Sequence, residues 1–288
     1  MHSSVLATLG ARSSVCTLVG AFLLLPAAAA AQTDYYNTDT GRPVRIEDAY
    51  AIERYALDLH LAPLRFERRS GVASVAVTPE LTYGLVPRTQ IEVGVPVLFR
   101  SAEGDDTRVG IGGVDVTALY NINAETRSLP AFGFRTGVLM PVGEYGPERI
   151  HPSVTGLATR TFRWARVHAN AQYTFGREPE TASTDGTLGS GSGTLTRWLT
   201  GLAADRTFAY RSLLATAEAY AAGPVDGDAD VEWTAATGLR YQLTPVLTLD
   251  GGVGRRLTGP SQAWFFTLGI SRTTTVRFLF PGRGAWGR

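Results

Sequence analysis

The sequence contains one cysteine, four histidines and no lysine, and these absences narrow the classes of protein that it can encode. Because Cys16 is the only thiol, an internal disulfide and a cysteine-ligated metal site are both excluded. The formal net charge is only +1, which argues against nucleic acid as a partner. We therefore expect a chain with no bound cofactor, no metal centre and no nucleic-acid partner.

A long hydrophobic run is also absent beyond the N-terminus, which excludes a membrane-spanning helix of about 18 residues or more there. The N-terminus itself has Arg12, then the apolar run Val15 to Leu25, then the small residues Ala27 to Ala31. Basic, apolar and small segments in this order are typical of a secretory signal peptide. We predict that residues 1–31 are such a peptide, cleaved before Gln32, and that the protein is exported.

The rest of the chain divides into three parts. Residues 32–54 are polar and without a clear period, and we expect them to form a periplasmic N-terminal segment, with a short helix near Ile46 to Tyr55. Residues 55–272 alternate in polarity and are expected to form the folded domain. Residues 273–288 are expected to extend the last strand or to form a tail.

Alternation of apolar and polar residues with a period of two predicts half-buried β-strands. The clearest case has Ile91, Val93 and Val95 alternating with Glu92 and Gly94. Twelve segments share this pattern: 55–66, 75–85, 90–99, 114–121, 132–138, 154–161, 165–175, 198–204, 213–220, 232–242, 247–253 and 264–271. An even number of such segments favours antiparallel strands that return to the same side.

The connections between these segments alternate between short and long. Tight connections at 86–88, 162–164 and 244–245 are separated by polar, Gly-rich loops such as 101–110, 177–194 and 223–230. Bacterial outer-membrane barrels have this asymmetry, with short periplasmic turns and long external loops. The predicted fold class is therefore all-β: a single transmembrane antiparallel β-barrel of about 12 strands, of the outer-membrane type, closed because hydrocarbon cannot solvate a free sheet edge.

Aromatic residues lie near the ends of the predicted strands, where they would form girdles at the two membrane interfaces. They are Tyr83, Phe99, Tyr120, Phe132, Tyr173, Phe175, Trp198, Tyr220, Trp233, Tyr241 and Trp264. The alternative is that these rings fill the core of a soluble domain.

Several stretches resemble the outer-membrane family named for the MetA pathway of phenol degradation, whose members are described as transporter-like. These stretches are Pro79 to Leu85 running into Ile91 to Pro96, Gly112 to Val116, Met140 to Gly143, Tyr241 to Pro245 and Leu268 to Ser271. The chain departs from the family pattern at Val114, which comes before Asp115, and at Val142, which stands where the family often has Thr. The resemblance implies an outer-membrane barrel that passes small, perhaps aromatic, compounds, and it supplies no catalytic residues.

Charged residues on the polar faces of the strands must point inward, because a charge on the lipid face costs roughly 2–4 kcal/mol for Arg at the midplane. Inside, they would either line a water-filled path or close it with ion pairs. The predicted lumen-lining residues are Asp58, His60, Glu80, Glu92, Asp115, Arg135, Arg166, His168, Glu218, Glu232, Arg240 and Asp250. The leading function is a passive channel or uptake barrel for an unidentified small solute, with outer-membrane lipids and the barrel-assembly machinery as partners.

Two other functions stay open. A lipid-modifying enzyme would use His168, with Asn170 on the same face and Ser153 on the neighbouring strand, because a base must reach its nucleophile. A closed structural barrel would instead bind a partner through its loops. A calcium loop at Asp105-Asp106 or Asp226 to Asp230 lacks the downstream Glu of an EF-hand, so an ordinary solvated loop is favoured.

Overall fold

The computed structural model describes residues 37–38, 43–69, 71–102, 106–176, 188–189, 193–208, 212–224, 230–258 and 262–276. The predicted signal peptide, the tail beyond residue 276 and most of the acidic residues considered for calcium lie outside these ranges. In the described ranges, no helix has both the length and the apolar character needed to cross a membrane.

The described chain folds as β-strands, as the period-two alternation predicts. The strands are β1 (Ala56–Arg69), β2 (Val72–Val86), β3 (Thr89–Gly94), β4 (Val97–Ala102), β5 (Arg108–Ile111), β6 (Val114–Asn123), β7 (Ala131–Met140), β8 (His151–Thr161), β9 (Arg166–Thr174), β10 (Leu188–Gly189), β11 (Gly193–Thr194), β12 (Thr196–Phe208), β13 (Leu213–Pro224), β14 (Glu232–Thr244), β15 (Leu247–Arg256) and β16 (Trp264–Thr275). β10 and β11 form a small separate hairpin.

The other strands form one closed antiparallel sheet. β1 pairs with β2 on one side and with β16 on the other, so the first and last strands close the barrel. β3 and β4 both pair with β2 and are one spanning strand interrupted at Val95-Pro96. β5 and β6 are likewise one spanning strand interrupted at Gly112-Gly113. The barrel therefore has 12 spanning strands, which confirms the predicted architecture.

The two faces of the wall differ as expected for a membrane barrel. On β12, Leu199, Ala203 and Asp205 are buried, whereas Leu202 between them is 59% exposed. The buried face is the inner one, because its side chains meet across strands that are not neighbours, as Arg69 of β1 meets Glu232 of β14 at 2.8 Å. The outer face carries the exposed apolar side chains, which is where lipid requires them.

Most of the predicted girdle aromatics lie on the outer face, with two exceptions. Trp233, Tyr241 and Trp264 are about half exposed there. Tyr220 instead points inward, is 6% exposed and packs with Ile46. It shares the parity of Glu218 on the same strand, so the alternation already indicated the inner face. Tyr83 is 9% exposed, and its hydroxyl donates a hydrogen bond to the Val276 carbonyl at 3.0 Å.

Four neighbouring spanning strands are irregular at corresponding positions. β1 has a bulge between Leu61 and Leu64, and β2 carries Pro79 opposite it. Pro lacks the N–H that a sheet ladder needs, so it is found at bulges and interruptions of a strand. Further along, the break at Gly112-Gly113 has Gly113 at φ 109°, a backbone conformation that favours glycine. The bulge in β1 shifts its alternation by one residue, so His60 and Arg65 both face inward.

Long connections collect at one end of the barrel, hereafter the loop end, and short ones at the other, the turn end. The turns at 87–88, 162–165 and 245–246 lie at the turn end, and the connections 141–150 and 175–195 lie at the loop end. The sequence pattern missed one exception: β1 and β2 are joined at the loop end by residues 70–71 alone.

Candidate functional site: the barrel interior

Residues 43–53 lie inside the barrel, which differs from the separate periplasmic segment and the short helix expected from sequence. Val44, Ile46 and Ala49 are at most 1% exposed, and the segment has no helical turn. It follows the inner wall around the circumference, from β15 and β14 through β12 and β7 to β2. Glycines on the wall make room for it, because an added side-chain carbon would contact the segment: Gly252 and Gly238 at Pro43, Gly201 at Ile46, Gly133 at Ala49 and Gly84 at the Glu53 carbonyl.

Wall side chains satisfy the backbone of this segment, which has no strand partner of its own. The Glu218 carboxylate accepts hydrogen bonds from the Arg45 and Ile46 amides, each at 2.8 Å. Asn170 accepts from the Glu47 amide and donates to the Glu47 carbonyl, each at 2.9 Å. Buried backbone groups need such partners, so the wall is built to hold an extended peptide.

The same pattern continues toward β1. The Ala49 amide donates to the Thr159 hydroxyl at 2.9 Å, and the Asn121 amide group donates to the Ala49 carbonyl at 2.7 Å. The Ile52 amide donates to Gln90 at 2.7 Å. These partners come from β8, β6 and β3, so the segment is attached to much of the circumference.

Two arginines of the wall join the segment by ion pairs. Arg135 lies 2.7 Å from Glu47 of the segment and 2.6 Å from Glu92 of β3. Arg166 lies 2.7 Å from Asp205 and 3.6 Å from Asp48. Each arginine therefore bridges a wall carboxylate and a segment carboxylate, and removing it would leave buried charges uncompensated.

His168 takes part in a chain of hydrogen bonds rather than in a pair with Ser153. Its Nε2 lies 2.9 Å from Asp205 and its Nδ1 lies 3.0 Å from the Thr159 hydroxyl. The register puts Thr159 opposite His168, whereas Ser153 lies six residues along the strand, opposite Thr174. His168 and Thr159 are fully buried, and Thr159 also accepts from the Ala49 amide. The group therefore anchors the segment, and the Ser153–His168 arrangement required for the lipid-modifying alternative is not formed.

A second ion-pair network lies near the loop end and was missed from sequence. Glu67 contacts Arg65 at 3.0 Å and Arg256 at 2.7 Å. Glu232 contacts Arg256 and, at 2.8 Å, Arg69. The network links β1 to β14 and β15 across β16, beside the closure of the barrel. Arg65, Glu67 and Arg69 follow the bulge in β1, and Arg256 follows the last alternating residue predicted for its strand, so the pattern gave no signal for them.

The predicted lumen-lining residues are on or near the inner wall, in different degrees of burial. Asp58, His60, Glu92, His168, Glu218, Arg240 and Asp250 are buried, and Glu80, Asp115, Arg135, Arg166 and Glu232 are half-buried. His60 lies 3.2 Å from Asp58, and Arg240 donates to the Asn37 carbonyl and is cross-strand to Asp250. That these residues border the path of a solute remains a prediction.

Neither a metal centre nor a catalytic group follows from this geometry. Within the described ranges, no cluster of His, Cys, Asp and Glu could hold a metal ion. Burial, together with the nearby Glu125 and Asp48 carboxylates, raises the pKa of Tyr50, which keeps this segment residue neutral.

Comparison with solved structures supports the fold. An outer membrane channel from Pseudomonas putida F1 is 16% identical, with a TM-score of 0.51, over 82% of this chain and 99% of that one. A KdgM porin is 13% identical, with a TM-score of 0.48, over 75% of this chain and 98% of that one. A phospholipase A from the outer membrane of Escherichia coli is 10% identical, with a TM-score of 0.41, over 83% and 96% of the two chains.

The sequence comparisons give a single family. No curated protein matches the chain. The family described as "Putative MetA-pathway of phenol degradation" matches residues 41–273, which include the interior segment from Pro43 onward and nearly all of the barrel. With the closed 12-stranded wall of outer-membrane type, this match confirms the resemblance seen in the sequence. The chain belongs to this family of outer-membrane β-barrels.

Proposed function

We propose that the protein is a passive channel for small solutes whose interior is narrowed by residues 43–53. The observation that carries the proposal is the peptide held around the inner wall by at least seven wall side chains, among them Glu218, Asn170 and Thr159. A barrel that served only as a membrane scaffold would not need a polar wall with this arrangement. A constriction built from a separate segment restricts passage by size while the wall stays closed.

The polarity of the wall supports an aqueous interior. The inner faces of β8 and β9 carry Thr155, Thr159 and Asn170, whereas the outer faces carry apolar side chains. Water tolerates these groups and hydrocarbon does not, so the polar face is suited to a solvated path. The exported chain would lie in the outer membrane, surrounded by its lipids and inserted by the barrel-assembly machinery, with the loop end outside and the turn end in the periplasm.

Reconstitution tests the proposal directly. Purified mature protein in liposomes should allow the entry of small neutral sugars or amino acids in a swelling assay, and single-channel recordings should show discrete conductance. The matched comparison is a variant with Glu218→Gln and Asn170→Ala, which should loosen the segment and raise conductance. Liposomes that stay impermeable to every small solute, with and without these substitutions, would contradict the channel and favour a closed structural barrel.

A further inference from the structure

One loop folds into the barrel at the loop end and carries an aromatic ring with it. In the connection 141–150, the Tyr145 amide donates to the Ile111 carbonyl at 2.9 Å, and Gly143 takes φ 85° where the loop meets Ile111. The Tyr145 ring then reaches the inner face of β5. There a side-chain carbon on Gly110 would lie 2.6 Å from the ring, so only glycine admits it.

Tyr145 rests on an apolar floor. It packs against Ala76 of β2 and Leu98 of β4, which are 9% and 1% exposed. The inner position follows from the register, since Leu98 is cross-strand to Gly110 and its neighbour Phe99 is exposed on the outer face. The ring itself is only half-buried, so part of it is open to the interior.

Two arginines stand beside this ring. Arg100 is two residues beyond Leu98 on the inner face, and its guanidinium carbon lies 4.9 Å from the centre of the Tyr145 ring. Arg108 is directly cross-strand to Arg100 and is exposed. Like charges at directly opposite positions destabilise a strand pair, and an anion between them would relieve the repulsion. The guanidinium fork matches a carboxylate in geometry as well as in charge.

We propose that Arg100, Arg108 and Tyr145 form a binding site for small aromatic carboxylates at the loop-end mouth. The carboxylate would bind the two guanidinium groups, and the ring of the solute would pack on Tyr145 above Leu98. The proposal names a solute class for the channel and to that extent rests on the proposed function. Glu144, next to Tyr145, is exposed and faces the same region, so it opposes anion binding.

Calorimetric titration of the detergent-solubilised full mature chain tests the site with benzoate, its neutral isostere benzamide, and acetate. Benzoate should bind at least about tenfold more tightly than benzamide, because it alone makes charge-assisted hydrogen bonds. It should also bind more tightly than acetate, which has no ring for Tyr145. Raising the salt concentration should weaken benzoate binding, since the site is open to solvent.

Matched variants separate the site from general charge. Arg100→Gln should weaken benzoate binding about tenfold. Arg255→Gln, which removes an outward-facing arginine whose guanidinium lies over Trp264 at the same end, should leave it unchanged. Tyr145→Leu should remove the preference for benzoate over acetate, and Glu144→Gln should tighten benzoate binding. Equal binding of benzoate and benzamide, or equal effects of the two arginine variants, would overturn the site.

The outcome is distinguishable from that of the channel proposal. Conductance without benzoate binding would overturn the site and leave the channel in place. Benzoate binding by a protein that conducts no solute would overturn the channel, while the site would stand as a surface-accessible binding site.

Discussion

Asn170 of β9 and Glu47 of the interior segment exchange two hydrogen bonds, each 2.9 Å long, through the Asn side chain and the Glu backbone. A side-chain amide here does what a neighbouring strand does in a sheet, since it accepts from the N–H and donates to the carbonyl of one residue. The segment is therefore held at this point by the wall and not by its own secondary structure.

Replacing Asn170 with Ala should release the segment locally. Loss of the two bonds should cost about 1–3 kcal/mol, because the Glu47 amide and carbonyl are left buried without these partners. Hydrogen–deuterium exchange at the Glu47 amide should become about five- to a hundredfold faster. The control is Gln172→Ala on the same strand, whose side chain bonds Thr174 instead. Equal exchange in the two variants would contradict the attachment.

Gly84 and Gly156 should respond oppositely to Ala. A methyl group at Gly84 would collide with the Glu53 carbonyl, whereas one at Gly156 has only the Ala171 carbonyl at 4.0 Å. Gly84→Ala should lower the free energy of unfolding in lipid vesicles by about 1–3 kcal/mol, as overpacking does. Gly156→Ala should be neutral or stabilising by up to about 1 kcal/mol. A tolerated Gly84→Ala would show that the segment does not press on β2.

Arg135→Met should be strongly destabilising, because Glu47 and Glu92 would remain buried without their counter-charge. The expected loss is about 3–5 kcal/mol in the free energy of unfolding. Combining it with Glu47→Gln and Glu92→Gln should restore much of that loss, since no unpaired charge remains. Urea titration in vesicles measures all three substitutions together and Arg135→Met alone. A combined variant no more stable than Arg135→Met would refute the charge argument.

The outer face can be tested by depth. Leu202 lies in the middle of β12 on that face, and Leu243 lies next to the turn end of β14; they are 59% and 52% exposed. Leu202→Arg should lower stability by about 2–4 kcal/mol and Leu243→Arg by no more than about 1 kcal/mol, because the cost falls toward the interface. Unfolding in vesicles compares the two. Similar costs would mean that Leu202 does not face the hydrocarbon.

Much of the wall could be predicted from sequence because a strand with one lipid face and one polar face must alternate with a period of two. The spanning strands and the inward direction of residues such as Glu92, His168 and Glu218 follow from that rule. Tyr220 was assigned to the girdle although its parity with Glu218 placed it inside. Arg65, Glu67 and Arg69 could not be placed, because the bulge between Leu61 and Leu64 shifts the alternation and leaves no period to read.

What the sequence by itself determined is the closed 12-stranded wall, its two faces and the clustering of long loops at one end. These follow from local alternation and turn residues, which act over a few positions. The tertiary structure alone decided where residues 43–53 lie and which groups meet in the interior. Those contacts join positions 38 to 173 residues apart, as Ile52 meets Gln90 and Arg45 meets Glu218. A segment without a period carries no local signal, so only the closed wall around it, with its glycines and amide side chains, could fix its place.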